Sequence, residues 1–298
     1  MTTIAAVAHA KINWCLELLR KREDGYHEIR TVTHTVSLGD RLAISSAPEG
    51  VSLSVAGEWD VPEGEGNLCH RAARAYLDAV GATSGLRVEL EKRVPPGSGL
   101  GGGSSDAVAV LLAAERLNPP SDPELVPRLA AQLGSDTSLF LYGGAALCSG
   151  RGEIVTQVPC PRTYHLVLAR PDFGVSTAEA YGLIEPGDFT PGAQAEAFAC
   201  ALAAGAAPGE LARYCVNTFS RAVCGRHPLI RQLVDRLVEL GAQFAQMTGS
   251  GSAVFGVFSE GAQADAAAAR LRAAGCFSVA ARTVPTGVKL SDTTGADS

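Results

Sequence analysis

The sequence predicts an α+β protein in two domains, the second an α/β sandwich with antiparallel strands. Three observations carry this expectation. The first ninety residues are dense in strand patterns, a strand then runs straight into a glycine cluster and a helix, and the second half follows the order strand, helices, two strands, helix, strand. Pro159 to Pro161 marks the break between them, so residues 1–158 and 159–288 are the expected domains and 289–298 a loose tail.

Strand patterns cover Ala5 to Leu19, Thr31 to Thr35, Arg41 to Ser45 and Val51 to Val55, and a helical pattern covers Asn67 to Val80. Leu86 to Val94 alternates apolar and polar residues as a half-buried strand does. A helix follows from Ser104 and stops at Asn118-Pro119-Pro120. Ser121 with Glu124 reads as a capping box for the next helix, and Gly134 closes it just before Asp136. Leu139 to Cys148 and Tyr164 to Ala169 read as strands, and helices fill Thr177 to Leu240, with the alanine-rich Ala193 to Ala207 among them. Two strands flank Gly249-Ser250-Gly251, and a helix at Ala262 to Ala274 precedes a strand at Phe277 to Val284.

With 298 residues, 46% of them hydrophobic, the chain can bury a sizeable core, which excludes disorder. Its 33 glycines cluster instead of repeating in triplets, which excludes collagen and signals special backbone geometry. Twenty-five basic against 31 acidic residues leave a net charge of -6, so neither a nucleic-acid scaffold nor an RNA-binding module is expected. Without a long apolar run or a signal-like amino terminus, the protein is expected to be soluble, unexported and cytoplasmic, with no membrane partner. The eight cysteines show no zinc spacing and read as reduced thiols.

The segment Pro95-Pro96-Gly97-Ser98-Gly99-Leu100-Gly101-Gly102-Gly103-Ser104-Ser105-Asp106 carries the strongest chemical signal. Glycines let backbone N–H groups approach a bound group, the following helix offers its positive end to an anion, and Ser104 and Ser105 add hydroxyls, with Ser105 a candidate magnesium ligand. The lysine-bearing P-loop pattern is absent. Gly97, Gly99 and Gly102 satisfy the dinucleotide pattern, but a nicotinamide-dependent oxidoreductase would need a Rossmann order, and Pro119-Pro120 stand where its second strand should begin. A plain glycine turn asks for fewer glycines than this, so a polyphosphate loop is the favoured reading.

Lys11 and Asn13 alternate with apolar residues and share one face of a strand, although a lysine there is equally at home on a solvated edge. Asp24-Gly25-Tyr26-His27 is a turn followed by an aromatic residue and an imidazole, suited to a planar base or simply to a packed hairpin. Asp136 either caps the next segment or, with a lysine nearby, serves as a carboxylate that accepts a proton or orients a hydroxyl. Met247-Thr248-Gly249-Ser250-Gly251-Ser252-Ala253 reads as a substrate loop or as a tight hairpin.

Ala10-Lys11-Ile12-Asn13, the run Arg22-Glu23-Asp24-Gly25-Tyr26-His27-Glu28, the glycine loop and the 247–252 loop together resemble the superfamily of galactokinases, homoserine kinases, mevalonate kinases and phosphomevalonate kinases. Within it the resemblance is to the 4-diphosphocytidyl-2-C-methyl-D-erythritol kinase family. It implies a nucleotide-binding amino-terminal domain like ribosomal protein S5 domain 2 and a ferredoxin-like carboxy-terminal half. It also implies transfer of the γ-phosphoryl group of ATP, with Mg2+, to the substrate's 2-hydroxyl in the non-mevalonate route to isoprenoid precursors. By the same resemblance Asp136 is the base, Lys11 its charged partner and Asn13 a nearby polar group. Tyr26 and His27 would hold cytosine, with Tyr181 over its other face, Asn67 and Lys92 near adenosine, and Gly249 and Ser250 at the substrate. A mevalonate or homoserine type of kinase is the alternative. The chain departs from the family pattern at Thr137-Ser138, where Val-Pro is expected, and at Thr218 to Ser220 after Asn217.

Overall fold

The computed structural model describes residues 2–293. The first half contains β1 (Thr3–Lys21), β2 (His27–Ala47), β3 (Val51–Gly57), α1 (Leu68–Val80), β4 (Gly85–Lys92), α2 (Gly102–Leu117), α3 (Leu125–Leu133), α4 (Thr137–Tyr142), β5 (Ala145–Gly150) and β6 (Ile154–Val158). The second half contains β7 (His165–Arg170), α5 (Thr177–Gly182), α6 (Ala193–Ala203), α7 (Pro208–Leu211), α8 (Phe219–Arg226), α9 (Pro228–Glu239), β8 (Phe244–Met247), β9 (Val254–Phe258), α10 (Gly261–Ala273), β10 (Phe277–Arg282) and β11 (Val288–Thr293).

Two sheets organise these elements. The first has the order β11-β1-β2-β4-β3, with β5 and β6 continuing from β2, and only β3 and β4 pair in parallel. The second, β10-β7-β9-β8, is antiparallel throughout and has the strand-helix-strand-strand-helix-strand succession of a ferredoxin-like half. A core under α1, α2 and α3 takes Ile4, Ala6 and Ala8 from β1. A second core joins the two halves. Trp14 packs within 5.5–5.7 Å, ring to ring, of Tyr164, Phe198 and Phe255, all from the second half.

A register shift between His9 and Ala10 changes which side chains of β1 face the helices. Before it, Ala6 and Ala8 point toward α1 and α2; after it, Ala10, Ile12 and Trp14 enter the second core and Lys11 turns toward the start of α2. The shift leaves Ser37 and Leu38 of β2 without partners on β1, while the alternation along β1 runs unbroken from Ala6 to Trp14; such an irregularity bends and twists a strand, so the same alternation meets a different layer beyond it.

Three expectations need correction. Residues 289–293 do not form a loose tail: β11 pairs antiparallel with Thr3 to Ala8 on the free edge of β1, and Val288 and Leu290 pack on the first core. Residues 294–298 lie outside the described residues. Leu139 to Cys148 is not one strand, because Gly143 and Gly144 take φ of +67° and +66°, ending α4 and opening β5. Ser121 caps nothing in α3: that helix starts at Leu125, and Asp122 accepts the Glu124 N–H.

Candidate active site

The glycine loop crosses from β4 to α2 and is fixed from three sides. The Lys11 N–H donates to the Leu100 carbonyl at 2.9 Å, the Ala253 N–H to the Ser98 carbonyl at 3.0 Å, and the Ser98 hydroxyl to the Pro95 carbonyl at 2.6 Å. Gly99 (φ +80°) and Gly101 (φ +72°) must be glycine. A Cβ at Gly99 would drive into the Thr248 carbonyl, and one at Gly101 would lie 2.9 Å from the Phe140 ring and 3.1 Å from Lys11. Gly97 and Gly103 are exposed, Ser104 is half-buried, and the Ser104 and Ser105 N–H groups both reach the Gly101 carbonyl at 3.1 Å. The loop thus ends in the positive end of a 16-residue helix, the place where an anion is stabilised.

Lys11 is buried beside this helix start, and its ammonium donates to Asn13 Oδ1 at 2.7 Å and lies 3.4 Å from Asp136 Oδ2. Asn13 is held in turn: its N–H donates to Thr248 Oγ1 and its side-chain amide to Thr31 Oγ1, both at 2.8 Å. Asp136 stands at the N-cap of α4 with its side chain 44% exposed, so its carboxylate faces both the buried ammonium and solvent. Gly249 (φ +58°) brings the 247–252 loop against Gly99 and Asn13, and the Asn217 amide fastens that loop by donating to the Met247 and Gly249 carbonyls at 2.8 and 2.9 Å. Ser250 reaches Thr177 at 3.5 Å.

On the rim, Tyr26 is 55% exposed, with the Arg151 guanidinium 4.6 Å from its ring centre. The turn carrying Arg151 also borders Asp136, since a Cβ at Gly152 would lie 3.9 Å from Asp136 Oδ1. His27 packs directly on Tyr181, ring centres 4.8 Å apart, and burial lowers its pKa. Burial, and then the Asp136 carboxylate, push the Tyr181 phenol up to about 12, so it stands as a neutral hydroxyl near the site.

The family described as GHMP kinases N terminal domain matches residues 67–144, and GHMP kinases C terminal matches residues 225–275. A 4-diphosphocytidyl-2-C-methyl-D-erythritol kinase from Pelotomaculum thermopropionicum is 42% identical over 90% of this chain and 94% of its own. One from Deinococcus radiodurans is 44% identical over 89% of this chain and 87% of its own. The chain belongs to the 4-diphosphocytidyl-2-C-methyl-D-erythritol kinase family. A crystal structure of 4-(cytidine 5'-diphospho)-2C-methyl-D-erythritol kinase superposes with a TM-score of 0.80 at 37% identity, covering 94% of this chain and 98% of that one. As a GHMP kinase the chain uses ATP.

In this member of the 4-diphosphocytidyl-2-C-methyl-D-erythritol kinase family, several expected ligand residues are otherwise engaged. Lys92 is buried, and its ammonium is taken by Asp40 and Asp106, so it supports the glycine loop from below and does not face adenosine. Asn67 caps α1, accepting the Cys69 N–H and donating to the Pro62 carbonyl. Tyr181 leaves no gap for a cytosine between itself and His27, because the two rings already touch. Ser105 is fully buried and spends its hydroxyl on the Gly102 carbonyl at 2.9 Å, so it does not fit a magnesium ligand. Among the described residues no group of three or more His, Cys, Asp or Glu is placed to hold a metal ion. No helix among them is long and apolar enough to cross a membrane.

Sequence reading missed Thr31 and Arg151, and it named Thr248 only as part of its loop. Thr248 and Thr31 hold Asn13, and Arg151 stacks on Tyr26; the hydroxyls carry no pattern of their own, and the only sign of Arg151 is its place between Gly150 and Gly152 in a turn.

Proposed function

We propose that this chain transfers the γ-phosphoryl group of ATP to the 2-hydroxyl of 4-diphosphocytidyl-2-C-methyl-D-erythritol, with magnesium accompanying the nucleotide. The observation that carries the reading is the meeting of Lys11, Asn13 and Asp136 beside the start of α2, where a phosphate-binding loop, a cation and a carboxylate converge. Phosphoryl transfer is catalysed chiefly by positioning and charge stabilisation, and these groups supply both.

In this reading the substrate hydroxyl oxygen forms a bond to the γ-phosphorus while the bond from that phosphorus to the β,γ-bridging oxygen breaks. ADP leaves with the electron pair. The hydroxyl proton passes to the Asp136 carboxylate, and the Lys11 ammonium stabilises charge on the phosphoryl oxygens. The glycine loop and the α2 terminus hold the phosphates that do not react.

The exposed Tyr26 ring supports a substrate with a planar base, and the names of the relatives favour the same substrate over a mevalonate or homoserine type. The test is ADP release by the purified chain with ATP and magnesium, offering 4-diphosphocytidyl-2-C-methyl-D-erythritol, mevalonate and homoserine separately. Turnover with the cytidyl substrate alone is expected. Turnover with mevalonate or homoserine alone would retain the kinase and discard the base pocket.

A further inference from the structure

Beneath the glycine loop, three charged side chains from three elements are almost wholly removed from solvent: Asp40 of β2 at 0%, Lys92 of β4 at 3% and Asp106 of α2 at 1% exposure. Two carboxylates share one ammonium. Their surroundings differ sharply. Asp40 is fully satisfied: one oxygen accepts the Arg93 and Val94 N–H groups at 2.5 and 2.7 Å, and the other accepts Lys92. Asp106 accepts from Lys92 at 2.8 Å through Oδ2 and lies beside the Asp40 carboxyl, and its Oδ1 is buried with no partner. A buried carboxylate oxygen without a donor is costly, and protonation is the usual escape.

We propose that Lys92, Asp40 and Asp106 form a positioning unit for the glycine loop in which Asp106 is held as the neutral acid, leaving the base of the loop without net charge. The proposal rests on the reading of the loop as the ATP phosphate site. The ammonium lies directly under the first residue of α2, since a Cβ built at Gly102 would be 2.9 Å from Lys92 Nζ. One positive charge against one ionised carboxylate cancels. A second ionised carboxylate would put an unbalanced negative charge below a site that must accept a polyanion, opposing the helix end above it.

Asp40 also sets the loop's geometry, because the Arg93 and Val94 amides that it binds are the last residues before Pro95. The ionisable groups facing Asp106 are Lys92, Asp40 and the buried Cys69 thiol of α1. Burial raises the Asp106 carboxyl well above the usual carboxylate range, Lys92 opposes that and the Asp40 carboxylate adds to it. Burial works against the Lys92 ammonium too, but the ionised Asp40 carboxylate beside it helps to hold it above its ordinary value. A carboxyl raised on folding costs stability above its unfolded pKa, so the isosteric neutral amide removes that cost.

The experiment compares D106N, D40N and K92M with wild type by calorimetric titration of the full chain with ADP, alongside melting temperatures. D106N is expected to bind ADP within about threefold of wild type and to melt no lower, since it copies the neutral acid. D40N and K92M are expected to weaken ADP by about tenfold or more, because an amide at 40 cannot accept from Lys92 and from the Arg93 and Val94 N–H groups together, and K92M leaves the buried Asp40 charge unpaired beside the loop. A difference infrared spectrum of wild type against D106N at neutral pH provides a readout independent of folding in the other variants. It should show a protonated carboxyl stretch that the variant lacks. Absence of that band, or D106N binding as poorly as D40N, would overturn the neutral acid. Wild-type ADP affinity in folded D40N and K92M would overturn the positioning role. Failure of wild type itself to bind ADP would fault the ATP reading of the loop, while the infrared band would still decide the state of Asp106.

Discussion

Lys11 Nζ lies 3.4 Å from Asp136 Oδ2, joining the first strand of the chain to the start of a short helix far along the sequence. The ammonium is buried and the carboxylate is 44% exposed, so the cation is fixed and the carboxylate can reach a substrate. Asn13 holds the same ammonium from the other side at 2.7 Å.

Removing the charge of Asp136 should therefore affect chemistry and little else. Asp136→Asn is expected to lower kcat by about 10²–10⁴ while ADP affinity and melting temperature stay near wild type. Single-turnover kinetics with ADP titration checks this, and an unchanged kcat would remove Asp136 from the role of base.

The glycine loop should distinguish two glycines that look alike in sequence. Gly97 has φ of +60° but open space around it, so Gly97→Ala should cost about 1 kcal/mol for its backbone conformation alone. Gly99→Ala meets the Thr248 carbonyl as well, and overpacking adds about 1–3 kcal/mol. Chemical denaturation should rank Gly99→Ala clearly below Gly97→Ala, with ADP affinity falling in the same order.

His34 gives a pH dependence of stability. It is buried on β2, its Nδ1 faces the Trp14 indole N–H at 3.3 Å, and burial pushes its pKa from 6.5 down to about 4. A base whose folded pKa is depressed stays neutral in the native state while the unfolded chain binds a proton. Stability should accordingly fall as pH drops from 6.5 toward 4, by up to roughly 3 kcal/mol. His34→Gln should flatten that part of the curve measured by urea unfolding.

At the rim, Tyr26→Ala should raise KM for the cytidyl substrate by about tenfold or more through loss of an aromatic face, without lowering the melting temperature. The ring is 55% exposed and leaves the core untouched when removed. Unchanged KM in steady-state assays would take the base away from Tyr26.

Much of this site was legible because its signals are local. Clustered glycines before a helix, and Lys11 and Asn13 two residues apart on a strand, need no knowledge of the rest of the chain. What escaped depends on distant partners. The register shift after His9 depends on pairing with β2, and no local pattern announces it. Lys92 is expected near adenosine, and only Asp40, on another strand, and Asp106, on α2, make it the buried partner of two carboxylates. Thr248 matters because it accepts the Asn13 N–H across the two halves, and residues 289–293 become a strand only because the edge of β1 is there to pair with. The succession of elements in the second half was readable because clear breaks separate its strands and helices, while its ferredoxin-like character came from the family resemblance.

The most direct test of the central claim is phosphorus NMR of the product formed from ATP, magnesium and 4-diphosphocytidyl-2-C-methyl-D-erythritol by the wild-type chain. Carbon 2 of this substrate bears a methyl group and no hydrogen. Transfer to its hydroxyl should give, in step with ADP, a new phosphomonoester resonance without coupling to a carbinol proton. A monoester split by such protons would place the phosphate on another hydroxyl, and no new monoester from active, ADP-binding protein would contradict the assigned substrate.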